Sequence, residues 1–438
     1  MARELDIPVS RASRLLHLGR LAGGIAGGAM AEGLRMLGSG NLPTAPDLLL
    51  NPANARRLAS RLSEMRGAAM KVGQLLSMEG GDFLPPEFTE ILGRLRDDAH
   101  TMPMLQVAAQ LESAWGKHWV KRFDRFFFQP IAAASIGQVH KATSHDGRNL
   151  AIKIQYPGVR DSIDSDVDNV AALLKFFRLI PEPDALAVVL QDAKFQLHEE
   201  ADYLAEARHI EAYRTRISGL PGLRVPRVDT ELTTDTVLAM EFVSGEPIDA
   251  LARNAVGLRN AVATRLVELF LKEVFEWGLV QTDPNFSNYL YLPDSGEVGL
   301  LDFGATRRYP QDTIKLYRRL LAAAIRGERD ALMASAEAVG YVGQGDPELY
   351  RSAVSVLIKA AAEPARAMGG YDFGRSSLAR RMSEQVVSLR VENRMWRMPP
   401  SEVLFLHRKL AGIYLLCTRL AASVDVRRLV EPYVAHGA

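Results

Sequence analysis

Three polar residues, Asp283, Asn288 and Asp302, stand at separations that strongly constrain the fold of this chain. Asp283 and Asn288 are five residues apart, and Asp302 lies 19 residues beyond Asp283. The intervening segments 289–292 and 298–301 are short, rich in strand-favouring residues and separated by turn formers, which predicts a hairpin. Asp302 would then follow the hairpin that Asn288 precedes, so the sequence predicts two carboxylates and an amide in one region.

The order of these residues indicates phosphoryl-transfer chemistry. In kinases, an Asp-x-x-x-x-Asn loop supplies an Asp that orients or deprotonates the acceptor, and the Asn binds Mg²⁺ together with the Asp of a later Asp-Phe-Gly. Both motifs are present here, in segments 281–288 and 300–304. Asp-Phe-Gly alone is commonly just a turn, but the combination is specific. We predict that Asp283 is catalytic and that Asn288 and Asp302 bind the metal.

Lys153 lies in Ala-Ile-Lys-Ile-Gln, an otherwise apolar strand. The simplest interpretation is an edge-strand charge that aids solubility, but beside kinase-like loops a strand lysine is expected to pair with nucleotide phosphates and a helical glutamate. A long helix predicted at about 186–216 offers Glu200 and Glu206. On a continuous helix these project about 120° apart, so one cation cannot easily serve both.

Lys71 and Gln74 share one helical face, opposite an apolar stripe that runs from Leu58 to Leu76. A solvated polar face is one interpretation. The other residues on that face are small or apolar, however, and not charged: they are Ser60, Ser63, Gly67 and Met70. We therefore expect both faces to be covered and Lys71 and Gln74 to have a buried functional role.

The segment Ile131-Ala-Ala-Ala-Ser-Ile-Gly-Gln-Val139 lies between the first two predicted strands, where kinases carry a glycine-rich phosphate loop. Alone, it would read as an ordinary strand-helix junction. Alanine is disfavoured in the left-handed region that glycine accepts, so this loop should be stiffer.

The remaining chain divides into regions. A β-meander is predicted from runs 126–131, 138–143 and 149–155, with further strands near 223–228 and 237–242. Residues 1 to about 120 read as helical, and residues 311–438 read as five or six helices without a strand.

Taken together, Lys-Val-Gly-Gln at 71–74, the Ala-rich loop at 132–137, Glu-Ala-Asp at 200–202 and Asp-Pro-Asn at 283–285 resemble the UbiB/AarF family of atypical protein-kinase-like proteins. The resemblance covers nearly the whole chain. It implies a bilobal, protein-kinase-like α+β fold. The implied domains are an N-terminal helical extension (1–120), an N-lobe (121–245) and a C-lobe with an all-helical tail (246–438).

The resemblance also implies ATP and Mg²⁺ as cofactors. It pairs Lys71 with Glu200 and Lys153 with Glu206, and places the N-terminal helices across the cleft where a kinase binds peptide. Lys71 and Lys153 join Asp283 as catalytic residues. The residues implied in cofactor binding are Ala132, Ala133, Ala134, Ser135, Gly137, Lys153, Glu206, Gln74, Glu200, Asp202, Glu241 and Val243.

Two departures refine this expectation. Gln281 stands where the family usually has His, a residue that commonly anchors the catalytic loop. Because Gln can still hydrogen-bond, we expect the activity to be altered but not lost. Thr282 replaces the Arg that reads activation-loop phosphate, and no Ala-Pro-Glu closes an activation segment after Gly304. Phosphorylation of peptides is therefore not expected.

The leading hypothesis is a Mg-ATP-dependent protein whose ATP turnover supports quinone or other isoprenoid-lipid metabolism at a membrane surface. It rests on the resemblance to a family that is linked to ubiquinone biosynthesis and lipid homeostasis. Two alternatives stay open: a phosphotransferase acting on a small molecule or lipid, and a non-catalytic scaffold that uses ATP as a conformational ligand. The presence of Lys153, Asp283, Asn288 and Asp302 together argues against the scaffold, because a binding module needs the catalytic Asp least.

Charge and composition bear on location and partners. The chain carries 53 basic and 52 acidic residues and a single cysteine, which argues against a strongly cationic nucleic-acid binder and fits a reducing compartment. Neither a signal peptide nor a spanning helix is apparent, since only 11 uncharged residues separate Arg20 from Glu32. Glycines at 19, 23 and 27 would form a strip suited to helix packing or to shallow membrane contact.

The charges are unevenly distributed along the chain. Residues 1–80 carry 10 basic and 6 acidic side chains, residues 81–304 carry 22 and 33, and residues 305–438 carry 21 and 13. These charges could simply be solvated. Clustered in space, the basic residues would suit an anionic membrane surface. We therefore expect a cytoplasmic protein, which would be peripheral on the inner face of the membrane if the basic residues cluster. The expected partners besides the nucleotide are quinone precursors, isoprenoid lipids or quinone-biosynthesis proteins.

Overall fold

The structure of the protein is a computed structural model that describes residues 62, 65–78, 101–176, 183–283, 285–389 and 401–435. The chain forms two compact units. The first ends at Arg208 and also takes in Arg227–Phe242, whereas the second contains His209–Pro226 and continues from Val243. Both units combine helices with strands.

The elements up to Phe242 build the first unit and begin the second. In chain order they are α1 (Arg66–Met78), α2 (Met104–Trp115), β1 (Phe123–Ala133), β2 (Gly137–Ser144), β3 (Asn149–Gln155), α3 (Val159–Phe176), α4 (Pro183–Glu200), α5 (Tyr203–Ile217), β4 (Leu223–Arg224) and β5 (Val237–Glu241). Strands β1, β2, β3 and β5 form an antiparallel sheet in that order.

Strand β3 lies in the centre of this sheet, between β2 and β5. Its residues from Leu150 to Gln155 are all buried, and Ile152 and Ile154 share an apolar cluster with Val107 and Leu111 of α2. A strand covered on both faces loses the alternation of a half-exposed strand. Lys153 is therefore on a central strand, and the edge-strand interpretation is wrong.

The second unit contains the remaining elements. They are β6 (Glu246–Pro247), α6 (Val256–Lys272), β7 (Leu279–Gln281), β8 (Tyr289–Leu292), β9 (Glu297–Leu300), β10 (Thr306–Arg308), α7 (Gln311–Arg326), α8 (Arg329–Val339), α9 (Glu348–Ala361), α10 (Glu363–Arg366), β11 (Tyr371–Asp372), α11 (Leu378–Val387), α12 (Ser401–Arg419), β12 (Ser423–Val424) and α13 (Val426–Val434). Its sheets have the orders β4-β9-β8-β6, β10-β7 and β11-β12. A π-helical turn, Glu273–Trp277, extends α6.

Several expectations are confirmed. The meander is β1-β2-β3, with a turn after Ser144, and the predicted hairpin is β8-β9. Two others are wrong, and one helix was missed. The predicted strand 223–228 contains only the two residues of β4, with Val228 in an isolated bridge to Met240. The tail contains the ribbon β11-β12, and helix α3 was not predicted.

The predicted continuous helix 186–216 is also wrong, because it breaks between α4 and α5. In an unbroken helix the Ala205 N–H would donate to the Ala201 carbonyl. Here the Ala205 N–H donates to the Asp202 carboxylate at 2.8 Å, and the Ala201 carbonyl accepts from the Gln155 side chain at 2.8 Å. A cap from within the segment and a donor from β3 thus replace one helical hydrogen bond.

Some predictions fall on residues that the structure does not describe. These include the glycine strip at 19–27 and most of the N-terminal helical region. The domain boundaries at 120 and 245 stay predictions. Within the described ranges, every helix is too short or too polar to cross a membrane.

Leu332 tests the packing of the tail helices. It lies on α8, is fully buried, and belongs to a cluster with residues of α7 and α9. Leu332→Ala should lower the free energy of unfolding by about 2–5 kcal/mol, because it removes buried methyl groups and leaves a cavity. Leu349→Ala, at a side chain that is 54% exposed on α9, is the control and should change it by less than about 0.5 kcal/mol. Urea unfolding measures both, and equal effects would contradict the packing described.

Candidate functional site

The Ala-rich loop of the first unit is tied to a buried ion pair. Lys71 of α1 and Ser135 of the loop each donate to a different carboxylate oxygen of Glu200, which ends α4. Lys71 is 3% exposed, as expected from the small residues on its face. The structure therefore shows the pairing of Lys71 with Glu200 that the family resemblance implied, and adds Ser135 to it.

Helix α1 approaches the loop closely at Gly67. A Cβ atom built on Gly67 would lie 2.6 Å from the Ser135 carbonyl oxygen, a distance that real Cβ contacts do not reach. Only glycine permits this approach without a shift of the backbone. Gly137, which begins β2, is similarly close to the Ile154 carbonyl. Ala132 and Ala133 end β1, and Ala134 follows as the loop begins. The side chain of Gln74 lies outside the described structure.

Lys153 of β3 forms a second buried pair, with Glu206 of α5. Its Nζ atom lies 3.0 Å and 2.9 Å from the two carboxylate oxygens, and 5.2 Å from the centre of the Tyr203 ring. Lys153 and Glu206 are 6% and 1% exposed. The contact matches the predicted pairing, although the break between α4 and α5, and not rotation around one helix, separates Glu206 from Glu200.

The other predicted cofactor residues have structural partners or neighbours. Asp202 caps α5 through the Ala205 N–H. Glu241, at the end of β5, accepts a hydrogen bond from the Arg227 N–H at 3.3 Å. Val243 lies beside Gly299 of β9 in the second unit. Roles in binding a cofactor stay predictions for all three residues.

The hairpin β8-β9 positions the predicted metal ligands in the second unit. Asn288 immediately precedes β8, Asp302 follows β9 by two residues, and the Leu301 N–H donates to the Asn288 carbonyl at 3.0 Å. The Asn288 amide nitrogen donates to the Asp283 carboxylate at 3.0 Å. Asp302 accepts from the Gly304 N–H at 2.9 Å. The structure therefore brings Asp283 and Asn288 into contact and returns the chain so that Asp302 follows beside Asn288.

A short ribbon joins the loop of Asp283 to the segment after Asp302. Strand β7 pairs with β10, and both the N–H and the hydroxyl of Thr282 donate to the Ala305 carbonyl, at 2.9 Å and 2.8 Å. Helix α7 then begins at Gln311, so only six residues separate it from Gly304. Thr282, which stands where kinases have Arg, thus connects the loop of Asp283 to the segment after Asp302 through hydrogen bonds to a backbone carbonyl.

Gln281 leads to a buried cluster that the sequence interpretation missed. Its side-chain oxygen accepts from Lys409 Nζ at 3.1 Å, and Lys409 also donates to the Tyr289 hydroxyl at 2.9 Å. Lys409 forms an ion pair with Glu273 at 3.4 Å. The Tyr213 hydroxyl accepts from the Gln281 N–H at 2.7 Å and donates to Glu273 at 2.8 Å.

Burial governs the charges of this cluster. Burial by itself would lower the pKa of Lys409, but attraction to Glu273 and Tyr289 outweighs it and raises the pKa above its ordinary value. Burial raises the pKa of Glu273, and Lys409 opposes this shift.

One signal for Lys409 is present in the sequence. It occupies the apolar stripe Leu406, Ile413 and Leu416 of α12 at helical spacing, where a lysine must have a partner.

The residues of the second unit suit Mg²⁺. Asn288 uses its amide nitrogen toward Asp283, which leaves the amide oxygen for a cation, and Asp302 supplies a carboxylate. Mg²⁺ is commonly held by one or two carboxylates with phosphate oxygens and water completing its shell. Within the described part of the chain, no group of three or more His, Cys, Asp or Glu side chains is placed to hold a metal ion.

The chain has clear relatives among known proteins. Residues 94–336 match the ABC1 atypical kinase-like domain. The mitochondrial atypical kinase COQ8 of Saccharomyces cerevisiae is 35% identical over 433 residues, which cover 98% of this chain and 86% of that protein. The mitochondrial atypical kinase COQ8B of Rattus norvegicus is 38% identical over 432 residues, which cover 98% and 81%.

Coverage differs among the relatives. The mitochondrial atypical kinase coq-8 of Caenorhabditis elegans is 36% identical over 97% of this chain, but the chain spans only 57% of that protein's length. Among solved structures, the complex of Rv3197 with erythromycin from Mycobacterium tuberculosis has a TM-score of 0.60 at 26% identity. That similarity covers 87% of this chain and 95% of the other.

Removing one partner of the Lys153–Glu206 pair tests its burial. Lys153→Met should lower the free energy of unfolding by about 3–5 kcal/mol, because it leaves a buried carboxylate uncompensated. Lys153→Met combined with Glu206→Gln should recover part of this loss. Lys194→Met is the matched control, since Lys194 pairs with Asp168 on the surface of the same unit and should contribute less than about 1 kcal/mol. Urea unfolding of the four proteins measures the difference, and equal losses for Lys153→Met and Lys194→Met would contradict it.

Proposed function

Because the chain belongs to the ABC1 atypical kinase-like family and has the kinase-like α+β fold of that family, we propose that it is an enzyme that binds and turns over Mg-ATP. The reaction would support ubiquinone or other isoprenoid-lipid metabolism at a membrane surface. The observation that carries the proposal is the arrangement of Asp283, Asn288 and Asp302 around the hairpin β8-β9.

Each residue has a role in this proposal. Asp283 orients a water or acceptor hydroxyl and takes up its proton, since a carboxylate within reach of the attacking oxygen can act as general base. Asn288 and Asp302 hold the metal through oxygen atoms. Bound Mg²⁺ supplies charge neutralisation for the phosphate oxygens. Lys153, held by Glu206, adds a positive charge toward phosphate, and Lys71 is fixed by Glu200.

The acceptor is proposed to be water or a small molecule. The link of six residues between Gly304 and α7 is too short for the long activation segment on which kinases bind peptides, and it lacks the closing Ala-Pro-Glu. Thr282 donates to a backbone carbonyl and cannot read a phosphorylated loop as Arg does. Both features favour ATP hydrolysis or transfer to a small acceptor over phosphorylation of peptides.

The metabolic setting rests on the relatives and on charge. The UbiB/AarF resemblance associates the chain with ubiquinone biosynthesis, and quinone precursors or isoprenoid lipids are the proposed partners. The basic excess of residues 305–438 supports contact with anionic lipid headgroups. A peripheral position on the membrane follows from this proposal.

Asp302→Asn tests the enzymatic proposal. Phosphate release from Mg-ATP by the purified protein should fall by about 100-fold, because the variant replaces a metal-binding carboxylate at the reacting phosphates. The matched control is Asp294→Asn, which makes the same change at an exposed turn residue of the same hairpin and should retain the wild-type rate. The measurement is repeated with anionic vesicles and with a phenolic quinone-precursor mimic.

The outcomes separate the alternatives. Phosphate release without an acceptor supports the ATPase, whereas an acceptor-dependent labelled product supports a phosphotransferase. Wild-type release and transfer no greater than those of Asp302→Asn under every condition would exclude both enzymes. ATP binding that persisted in that case would support the scaffold.

Vesicle binding tests the membrane proposal. We expect the protein to sediment with anionic vesicles, to bind zwitterionic vesicles weakly, and to lose the anionic binding as salt rises from about 0.05 to 0.5 M. Each Lys or Arg near an anionic surface contributes about 1 kcal/mol, and salt screens that attraction. Binding that does not weaken with salt would contradict an electrostatic contact.

A further inference from the structure

The second unit buries a lysine and a glutamate together. Lys409 of α12 is 2% exposed, Glu273 in the π turn after α6 is 1% exposed, and their charged atoms lie 3.4 Å apart. A buried pair of this kind seldom stabilises a fold more than apolar residues of the same size would. Stability alone therefore does not explain why these residues are charged.

The contacts of Lys409 indicate a more specific role. Its ammonium group has three N–H donors and no acceptor. The structure gives it three partners: Glu273, the side-chain oxygen of Gln281 at 3.1 Å and the hydroxyl of Tyr289 at 2.9 Å. Two of these partners are neutral acceptors from the segment that contains the predicted catalytic residues.

Gln281 and Tyr289 bracket that segment. Gln281 precedes Asp283 by two residues, and Tyr289 directly follows Asn288. One buried ammonium therefore holds both ends of the loop in the same place. A charge-assisted hydrogen bond is shorter and stronger than a neutral one, so a lysine holds these ends better than a neutral donor would.

Glu273 fixes the lysine and also the backbone of the loop. Its Oε1 accepts from the Tyr213 hydroxyl, which in turn accepts from the Gln281 N–H at 2.7 Å. Gln281 is thus bound through its side chain by Lys409 and through its backbone by Tyr213. The Lys409–Glu273 ion pair closes the ring of contacts.

The same cluster shares a cavity with the predicted metal ligands. One cavity of the second unit is lined by Lys409, Glu273 and Gln281 and also by Asn288 and Asp302. A displacement of Lys409 would therefore also shift the side chains that are predicted to hold the metal. The attraction of Glu273 keeps the pKa of Lys409 above its ordinary value despite burial, so the lysine is a cation at neutral pH.

We propose that Lys409 is a positioning residue, which with Glu273 holds the ends of the loop 281–289 so that Asp283 and Asn288 keep their working geometry. The inference rests on the proposed function for its kinetic consequence. Its structural consequence, a loop that opens when the cation is removed, does not depend on turnover.

The test removes the charges without leaving one of them unpaired. Lys409→Met combined with Glu273→Gln should fold, because both ions are replaced by neutral side chains of similar size. Tyr289→Phe is a milder variant that keeps the lysine, the packing and the charge. Both are compared with the wild-type full chain by hydrogen exchange, which reports local opening.

We expect amide exchange in peptides containing Gln281 and Tyr289 to rise by about tenfold in the double variant and by about threefold in Tyr289→Phe, since hydrogen bonds to a charged group are lost. Exchange in α7 and α8 should be unchanged. The double variant should also lower kcat by about tenfold, because Asp283 loses the position from which it acts on the attacking oxygen.

Leu332→Ala supplies the stability control. It lowers global stability through a cluster that contains none of these residues, so it should leave kcat and loop exchange at wild-type values. An equal effect in Leu332→Ala would show that Lys409 acts only through stability and would overturn the proposal. Wild-type exchange around Gln281 in both the double variant and Tyr289→Phe would overturn it as well.

The exchange result also separates the two proposals. A wild-type protein without turnover, but with faster loop exchange in the variants, would refute the proposed function and leave the positioning role supported. Turnover in the wild type with unchanged exchange and kcat in the variants would refute the positioning role alone.

Discussion

The removal of an ammonium group from water is the constraint on which the arrangement of this protein depends. Three lysines are buried in the described part of the chain, at positions 71, 153 and 409. An isolated buried charge is too costly to persist, so each must lie against a carboxylate. The partners are Glu200, Glu206 and Glu273, and each pair connects separate elements of one unit. Pairing of charge thereby selects which helices and strands are neighbours.

The break between α4 and α5 shows how the chain satisfies two of these pairs. Glu200 is the last residue of α4, and Glu206 lies in the first turn of α5. A carboxylate in the first turn of a helix is also favoured by the helix dipole. The break lets two neighbouring helices each direct one glutamate to its own lysine. One of those lysines shares its glutamate with Ser135 of the Ala-rich loop, and the other lies on the central strand of the sheet.

The sequence was sufficient where local pattern determines structure. The meander β1-β2-β3 and the hairpin β8-β9 follow from strand runs separated by turn formers, and the hairpin is what places Asp302 after Asn288. The break at Ala201 could not be read locally, because Gln155 of a distant strand takes its carbonyl. The partners of Lys409 are equally distant in sequence. Its position within the apolar stripe of α12 was a local sign of burial, but nothing local could identify Gln281, Tyr289 or Glu273 as its partners.

The buried lysine also gives a physical reason for Gln281, where the family usually has histidine. Lysine can only donate, so the group that faces it must accept. A neutral histidine offers a single acceptor nitrogen, and it loses that acceptor when it is protonated. The amide oxygen of glutamine has two lone pairs and does not titrate. Glutamine therefore accepts from Lys409 without a change in its own protonation, and the hydrogen bond directs its side-chain oxygen toward Lys409. Gln281 and Lys409 therefore act together to hold the loop 281–289 in place.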